Sequence, residues 1–241
     1  MTFLWMFFVT AAIVQVSVLF TTIYLHRALC HRGLDLHPIA VNLMHLHLSL
    51  FTGVLPRHWV AVHRKHHHFS DREGDPHSPY LLGLWHVFLG NYFYYRRETH
   101  NPATIRKYTP DYCPDLVDRL PLIRYGVLGG LGIFMWMFGW AWGLAAWGFH
   151  VAAYILLNSS INSFCHKVGY RNYDNPATNI RFVAWLTSGE GLHNNHHEYP
   201  TSPRFARNPG KQEFDPAWPV ICLLERCGLA RLKPQPMAKA A

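Results

Sequence analysis

Charge is scarce in this chain, and the scarcity is patterned. Only 15% of the 241 residues are Asp, Glu, Lys or Arg, against about a quarter in an ordinary soluble domain. Residues 1–25 contain none, and residues 121–161 contain only Arg124. With half of all residues hydrophobic, this excludes a purely soluble globular protein. Cysteine is also sparse. Cys30, Cys113, Cys165, Cys222 and Cys227 are odd in number and form no C-x-x-C pair, which excludes a disulfide framework; each reads as a small packing residue. No internal repeat or low-complexity tract is present, so a solenoid is excluded. The formal charge of +8 does not indicate a nucleic-acid partner, because the Lys and Arg follow the apolar stretches. That is the bias of cytoplasmic loops flanking membrane spans.

What the chain does have is apolar length, aromatic residues and histidine. Residues 3–25 form one continuous apolar run, long enough to cross a bilayer. The run has no basic n-region and no clear cleavage site, so it reads as a retained span and not a signal peptide. Residues 38–55 are apolar but carry Asn42, His45, His47 and Ser49, which suits a re-entrant or interfacial segment. Residues 57–120 read as a polar cytoplasmic loop or subdomain. Residues 122–158 are too long for one helix and suit a two-span hairpin turning near Gly139 to Gly143. Residues 162–241 are again polar and cytoplasmic, with a disordered tail after Pro234. The expected fold is a single all-α, integral-membrane helical bundle of about three spans over residues 1–241. Nine Trp and 15% aromatic residues supply interfacial anchors.

Eighteen histidines are far in excess of need for packing, and they cluster. The clusters are HRALCH (His26 to His31), HRKHHH (His63 to His68), NSFCH (Asn162 to His166) and HNNHH (His193 to His197). In H-x-x-H-H the histidines stand at i, i+3 and i+4, which share one face of a helix. His63, His66 and His67 are thus expected to point at one ion-sized volume, and His193, His196 and His197 at another. His26 and His31, at i and i+5, are expected at a helix end where the chain bends around a metal. Nine imidazoles (those eight and His166), with the Asn162 amide holding a water, exceed what one ion takes and suit two ions. Imidazole alone does not name the metal. His77 and Asp75, in the stretch DPHS, are expected beside the ligands and not on a metal. All four clusters must then lie on one side of the membrane, which requires residues 38–55 not to cross. The N-terminus is placed outside and the C-terminus in the cytoplasm.

The stretches HRALCH, WVAVHRKHHHFSDREGDPHSP, LLNSSINSFCHKVGYRNYD and SGEGLHNNHHEYP resemble, in order and spacing, the membrane fatty-acyl desaturases of the stearoyl type. The resemblance implies a membrane helical bundle under a cytoplasmic helical cap that holds two iron ions. It implies that His26, His31, His63, His66, His67, His166, His193, His196 and His197 ligate them, with Asn162 reaching one through water. It further implies O₂-dependent insertion of a cis double bond into a saturated acyl chain held in a tunnel beside the metals, in an oxidoreductase of the cell (inner) membrane. The chain departs from animal members in having one span before the first motif, a bacterial-like feature. It also has Ala61 and Val62 where animal members carry the Arg-Asp that helps bind the carrier's head group. CoA, acyl carrier protein and lipid therefore all stay open as carriers. No electron-carrier segment is visible, so a separate ferredoxin- or cytochrome-type donor with its reductase is expected. Its docking site could include Arg96, Arg97, Arg106 and Lys107, although a solvated or lipid-facing surface is the preferred reading of that cluster. A hydroxylase or acetylenase on the same scaffold is the nearest alternative, and a non-catalytic metal-binding membrane protein a more distant one.

Overall fold

A computed structural model describes residues 3–234, and the expectation for the tail after Pro234 lies outside the described residues. The first apolar run forms helix α1 (Phe3–Phe20), which passes without a break into a π-helical segment, Thr21–Cys30. The two halves of this rod differ in surroundings. Phe3, Leu4, Trp5 and Phe8 are bare apolar side chains on the outside, whereas Thr21 to Arg27 are buried without exception. An exposed apolar surface of this kind is stable only against lipid or a partner.

Helices α2 (Pro38–Phe51) and α3 (Pro56–Phe69) both start on proline, where the missing N–H costs no helical bond. They are bent 90° to one another across a break of four residues, in which Gly53 takes φ 65°. On α2, Ile39, Leu43 and Leu46 face outward while Ala40, Met44 and Leu48 are buried. The break between them lies against the middle of the long helix α8 (Trp140–Lys167). There His150 Nε2 donates to the Phe51 carbonyl at 2.9 Å. That bond satisfies a carbonyl freed by the break, as irregular backbone at membrane depth requires.

The stretch read as a polar loop or subdomain is folded into α3, α4 (Pro79–Leu82), α5 (Leu84–Thr99) and α6 (Pro102–Tyr108). Helix α5 packs on α8, with Phe88 against Phe164 at 4.9 Å. It leaves Trp85, Leu89 and Phe93 exposed at four-residue spacing. Polar residues interrupt this stripe in the sequence, so no continuous apolar run announces it.

Helix α7 (Gly126–Phe138) turns into α8 at Gly139, whose φ is 80°. The two helices pack so closely that a Cβ on Gly143 would come within 2.5 Å of Met135 Cα. Two helices, Phe3–Cys30 and Trp140–Lys167, are long and apolar enough to cross a membrane, or up to three if the bent α2–α3 pair counts as one. The remaining apolar helix, Ile123–Phe138, is shorter than a full span. The regular part of it, α7, reaches only about 20 Å at 1.5 Å per residue. The molecule is a membrane helical bundle.

Helices α9 (Arg181–Leu186), α10 (His193–Glu198) and α11 (Ala217–Arg226) follow, together with a two-stranded antiparallel ribbon, β1 (Leu34–Leu36) with β2 (Ala230–Leu232). Arg27 ties this half to the π segment. Fully buried, it forms a two-pronged pair with Asp215 (2.8 and 3.0 Å) and donates to the Pro203 and Ser188 carbonyls. The Phe205 ring lies 3.8 Å beneath it.

Candidate metal centre

All nine expected histidines meet, but not in the grouping that their spacing suggests. One group is His26, His31, His63, His67 and His196; the other is His66, His166, His193 and His197. Within each group the ligand nitrogens lie within 4.8 Å of one another. Each H-x-x-H-H triplet is therefore divided. His63 and His67 join one group and His66 the other; His193 and His197 join one and His196 the other. Helical geometry gives the reason. At about 100° per residue, positions i and i+4 lie roughly 40° apart, while i+3 lies about 100° from i+4. A triplet thus straddles the seam between two ions, and His67 stacks on His197 across that seam with ring centroids at 4.4 Å.

His26 and His31 of the first motif lie at a helix end, as their spacing suggests, but the helix that ends there is π-helical. They lie where the π-helical winding closes, with the His31 N–H bonded to the His26 carbonyl at 3.0 Å. An i→i+5 bond of this kind is the π-helical repeat, and it brings i and i+5 onto one face, with the two rings 4.8 Å apart.

The Nε2 atoms converge at short range. In the first group the separations are 3.0 Å (His26–His196), 2.9 Å (His196–His67), 3.1 Å (His67–His63) and 3.1 Å (His63–His31). In the second they are 3.0 Å for both His193–His166 and His197–His193. Ligands about 2.1 Å from an ion and at right angles to each other stand about 3.0 Å apart. Burial first, then mutual repulsion among the rings, holds His63, His67, His193, His196 and His197 well below the ordinary imidazole range. The rings are therefore neutral at neutral pH and carry lone pairs.

Carboxylates decide where several of those lone pairs point. A carboxylate only accepts, so an imidazole nitrogen bonded to it must hold the proton. Glu190 takes Nδ1–H of His26 at 2.6 Å, Asp71 that of His166 at 2.6 Å, and Asp75 that of His66 at 3.0 Å. Each leaves Nε2 as a bare lone pair aimed inward. His66 Nε2 is buried without a protein partner, which is costly for a polar atom unless a cation satisfies it. The nine side chains thus fit a pair of bound metal ions.

Asp75 also accepts the Asp71 and His77 N–H groups. Burial alone would raise its pKa, but His66 and His77 hold it well below the carboxylate range. His77 is buried, stacks on His66 at 4.7 Å, and has no partner at either ring nitrogen. Asn162 lies one turn before His166 on α8 and donates to Asn91 Oδ1 at 3.2 Å. Sequence reasoning missed Glu190 and Asp71, although both stand inside the motif stretches SGEGLHNNHH and SDREGDPHSP. The usable signal was the acidic residue itself, since metal-bound histidines are normally oriented by a carboxylate. Glu190 also accepts the Thr22 hydroxyl.

From the metal groups a cavity of about 610 Å³ runs between the π-helical segment, the α2–α3 break, α5, α7 and α8. His26, His63, His77, His193 and Glu190 line one part of it, and Asn158, Asn162, Val151, Trp147 and Phe51 line the part along α8 and the break. Val62 lines it and Ala61 is fully buried, so the wall next to the second motif is apolar. Arg96, His58 and Thr99 also contribute to the lining.

Comparison with known proteins agrees with this geometry. The chain is 34% identical over 223 residues to the acyl-CoA 5-desaturase AL21 of Anemone leveillei, covering 87% of this chain and 65% of that protein. It is 36% identical over 204 residues to a hex-5-enoyl-[acyl-carrier protein] acetylenase of Moorena producens, covering 75% and 62%. It is 33% identical over 215 residues to an sn-1 stearoyl-lipid 9-desaturase of Anabaena variabilis, covering 87% and 76%. The chain thus spans somewhat under two thirds of the first two relatives. The family model described as fatty acid desaturase matches residues 3–220, a stretch that takes in both long apolar helices, all nine converging histidines and the carboxylates behind them, and on that match the chain belongs to the fatty acid desaturase family.

Proposed function

We propose that this chain removes two vicinal hydrogens from a saturated fatty-acyl chain to leave a cis double bond, using O₂ and two electrons from outside. The observation that carries the reading is the junction of two adjacent imidazole groups with a long cavity that continues between membrane helices. An unactivated methylene has no acidic proton, so general acid–base catalysis by side chains cannot start the reaction. Zinc is redox-inert, and we assign iron. The nine histidines would hold two iron ions, which when bound would supply the oxidising power drawn from O₂. The balance is one O₂, two electrons and two protons in, with the alkene and two waters out.

The protein's own work is positional. Glu190, Asp71 and Asp75 fix the tautomer and orientation of His26, His166 and His66. Asn162 presents its amide where a water can bridge to the second group, and His77 packs behind His66. Val62, Trp59 and Tyr95 form a dry wall that excludes bulk water from the acyl chain. The electrons come from a separate ferredoxin- or cytochrome-type donor with its reductase. The metal groups face the cytoplasm, the N-terminus lies outside, and the membrane is the cell's inner membrane.

Aerobic incubation of the full chain with iron, a reducing system and a panel of saturated acyl-CoA, acyl-carrier-protein and lipid substrates tests this. New cis-monoenes are expected. Alcohols or alkynes instead would assign a hydroxylase or acetylenase, the latter being the named activity of one relative. His196→Ala should abolish turnover while membrane insertion is unchanged; persistence of activity would overturn the ligand assignment.

A further inference from the structure

We infer that Trp147, held in place by His150 and Gly130, is the floor of the acyl cavity and sets the length of chain the protein accepts. The inference rests on the fatty-acyl reading above. Among the α8 residues that line the cavity, Asn162 stands nearest the metals and Trp147 farthest away. The fifteen-residue step between these positions corresponds to about 22 Å of helix. One leaflet's hydrocarbon is only about 15 Å thick. The cavity is therefore long enough for a long-chain acyl group.

Beyond Trp147 the space closes. Met6, Phe134, Phe138 and Ala146 form a buried cluster against which Trp147 and Phe51 pack. Three contacts hold the indole. Its ring stacks on His150 at 5.7 Å with only 16° between the planes, and Phe134 meets it edge-on at 5.5 Å. On the far side lies Gly130, where a Cβ would stand 3.1 Å from Trp147 Cη2 and 2.0 Å from the Leu50 carbonyl oxygen.

His150 is not part of either metal group, and its placement explains an intramembrane histidine that the chemistry does not use. Nε2–H is bonded to the Phe51 carbonyl at the re-entrant break, and Nδ1 is buried without a partner. One side chain thus joins the break to the floor, so that Phe51 and Trp147 form a single rigid end wall.

The test uses the full chain in detergent. Native mass spectrometry reads which members of an equimolar mixture of free saturated fatty acids, graded in length, it retains. The same length series, as the acyl substrate that supports turnover, gives the activity optimum. Trp147→Leu removes the floor and should lengthen both optima. Val151→Phe places a ring one turn nearer the metals, about 5.4 Å, and should shorten both. Each methylene refused or admitted changes retention about fourfold. Opposite shifts in the two variants support the proposal. Unchanged optima in both folded variants overturn it while leaving desaturation intact. Shifted retention with no turnover by the parent protein would sustain the floor and overturn the desaturase reading.

Discussion

Glu190 is six residues from His196, the histidine of its own motif that shares a group with its partner His26, and nothing in the local spacing connects them. Removing it tests how much the surrounding carboxylates contribute. Glu190→Ala should lower metal affinity about 10- to 100-fold, read as metal retained after dialysis against graded chelator, because His26 loses the acceptor that fixes its proton on Nδ1. Asp71→Ala should act similarly through His166. Arg27 and Asp215 make a different case. Both are fully buried, and the pair binds the π segment to the loop that follows α10. Asp215→Ala leaves a buried guanidinium without its counter-charge and should cost about 3–5 kcal/mol, seen as a lower melting temperature in detergent. The nine histidines were legible in the sequence because imidazole clusters are rare. The carboxylates behind them were not, because Asp and Glu in polar loops are common and only the fold shows which of them face a ring.

At the scale of elements, histidine spacing was read correctly as convergence and incorrectly as grouping. Spacing says which residues share a helix face, but the division between two ions depends on where the facing helix stands. For α3 and α10 the seam runs between i+3 and i+4 in both. The interval of five between His26 and His31 became meaningful only once Thr21–Cys30 was seen to be π-helical. Asn194 and Asn195, lying between the histidines of α10, are structural: Asn194 bonds Tyr173, Asn175 and Ala177, and Asn195 bonds Phe205 and Glu213. These amides fix the loops that aim His193 and His196. The α7–α8 turn supplies a packing test. Gly143→Val would place side-chain atoms against the Met135 backbone and should cost about 1–3 kcal/mol through overpacking, measured by thermal unfolding.

For the whole molecule, metal and fold are coupled. The two histidine groups form only when the π segment, α3, α8 and α10 are assembled, so bound metal would stabilise the fold and chelation should lower the melting temperature. The metal-free protein should also be acid-sensitive. Burial depresses the pKa of His63, His67, His193, His196 and His197 in the folded state. The unfolded chain therefore binds more protons as pH falls below about 6.5, and stability declines from there toward the depressed folded values. Above that pH these groups should contribute no slope. Metal-free unfolding curves between neutral pH and pH 5 check this; a flat profile would contradict the burial of these rings. Lipid contact belongs to this scale too. The bare apolar faces of α1, α2, α5 and α8 surround a bundle with buried polar side chains at its centre.

Composition and spacing alone determined that the chain is a membrane helical protein and that its four histidine clusters converge. Each of these follows from local facts: hydropathy over a bilayer's thickness and the few side chains that bind metals. Only the tertiary structure decided which imidazoles group together, which carboxylates hydrogen-bond them, and that α5 presents an apolar stripe outward. Those features depend on the relative placement of helices far apart in the chain. Side chains such as Glu190 and His26, or Trp147 and Gly130, acquire a joint role only through contacts that no local pattern encodes.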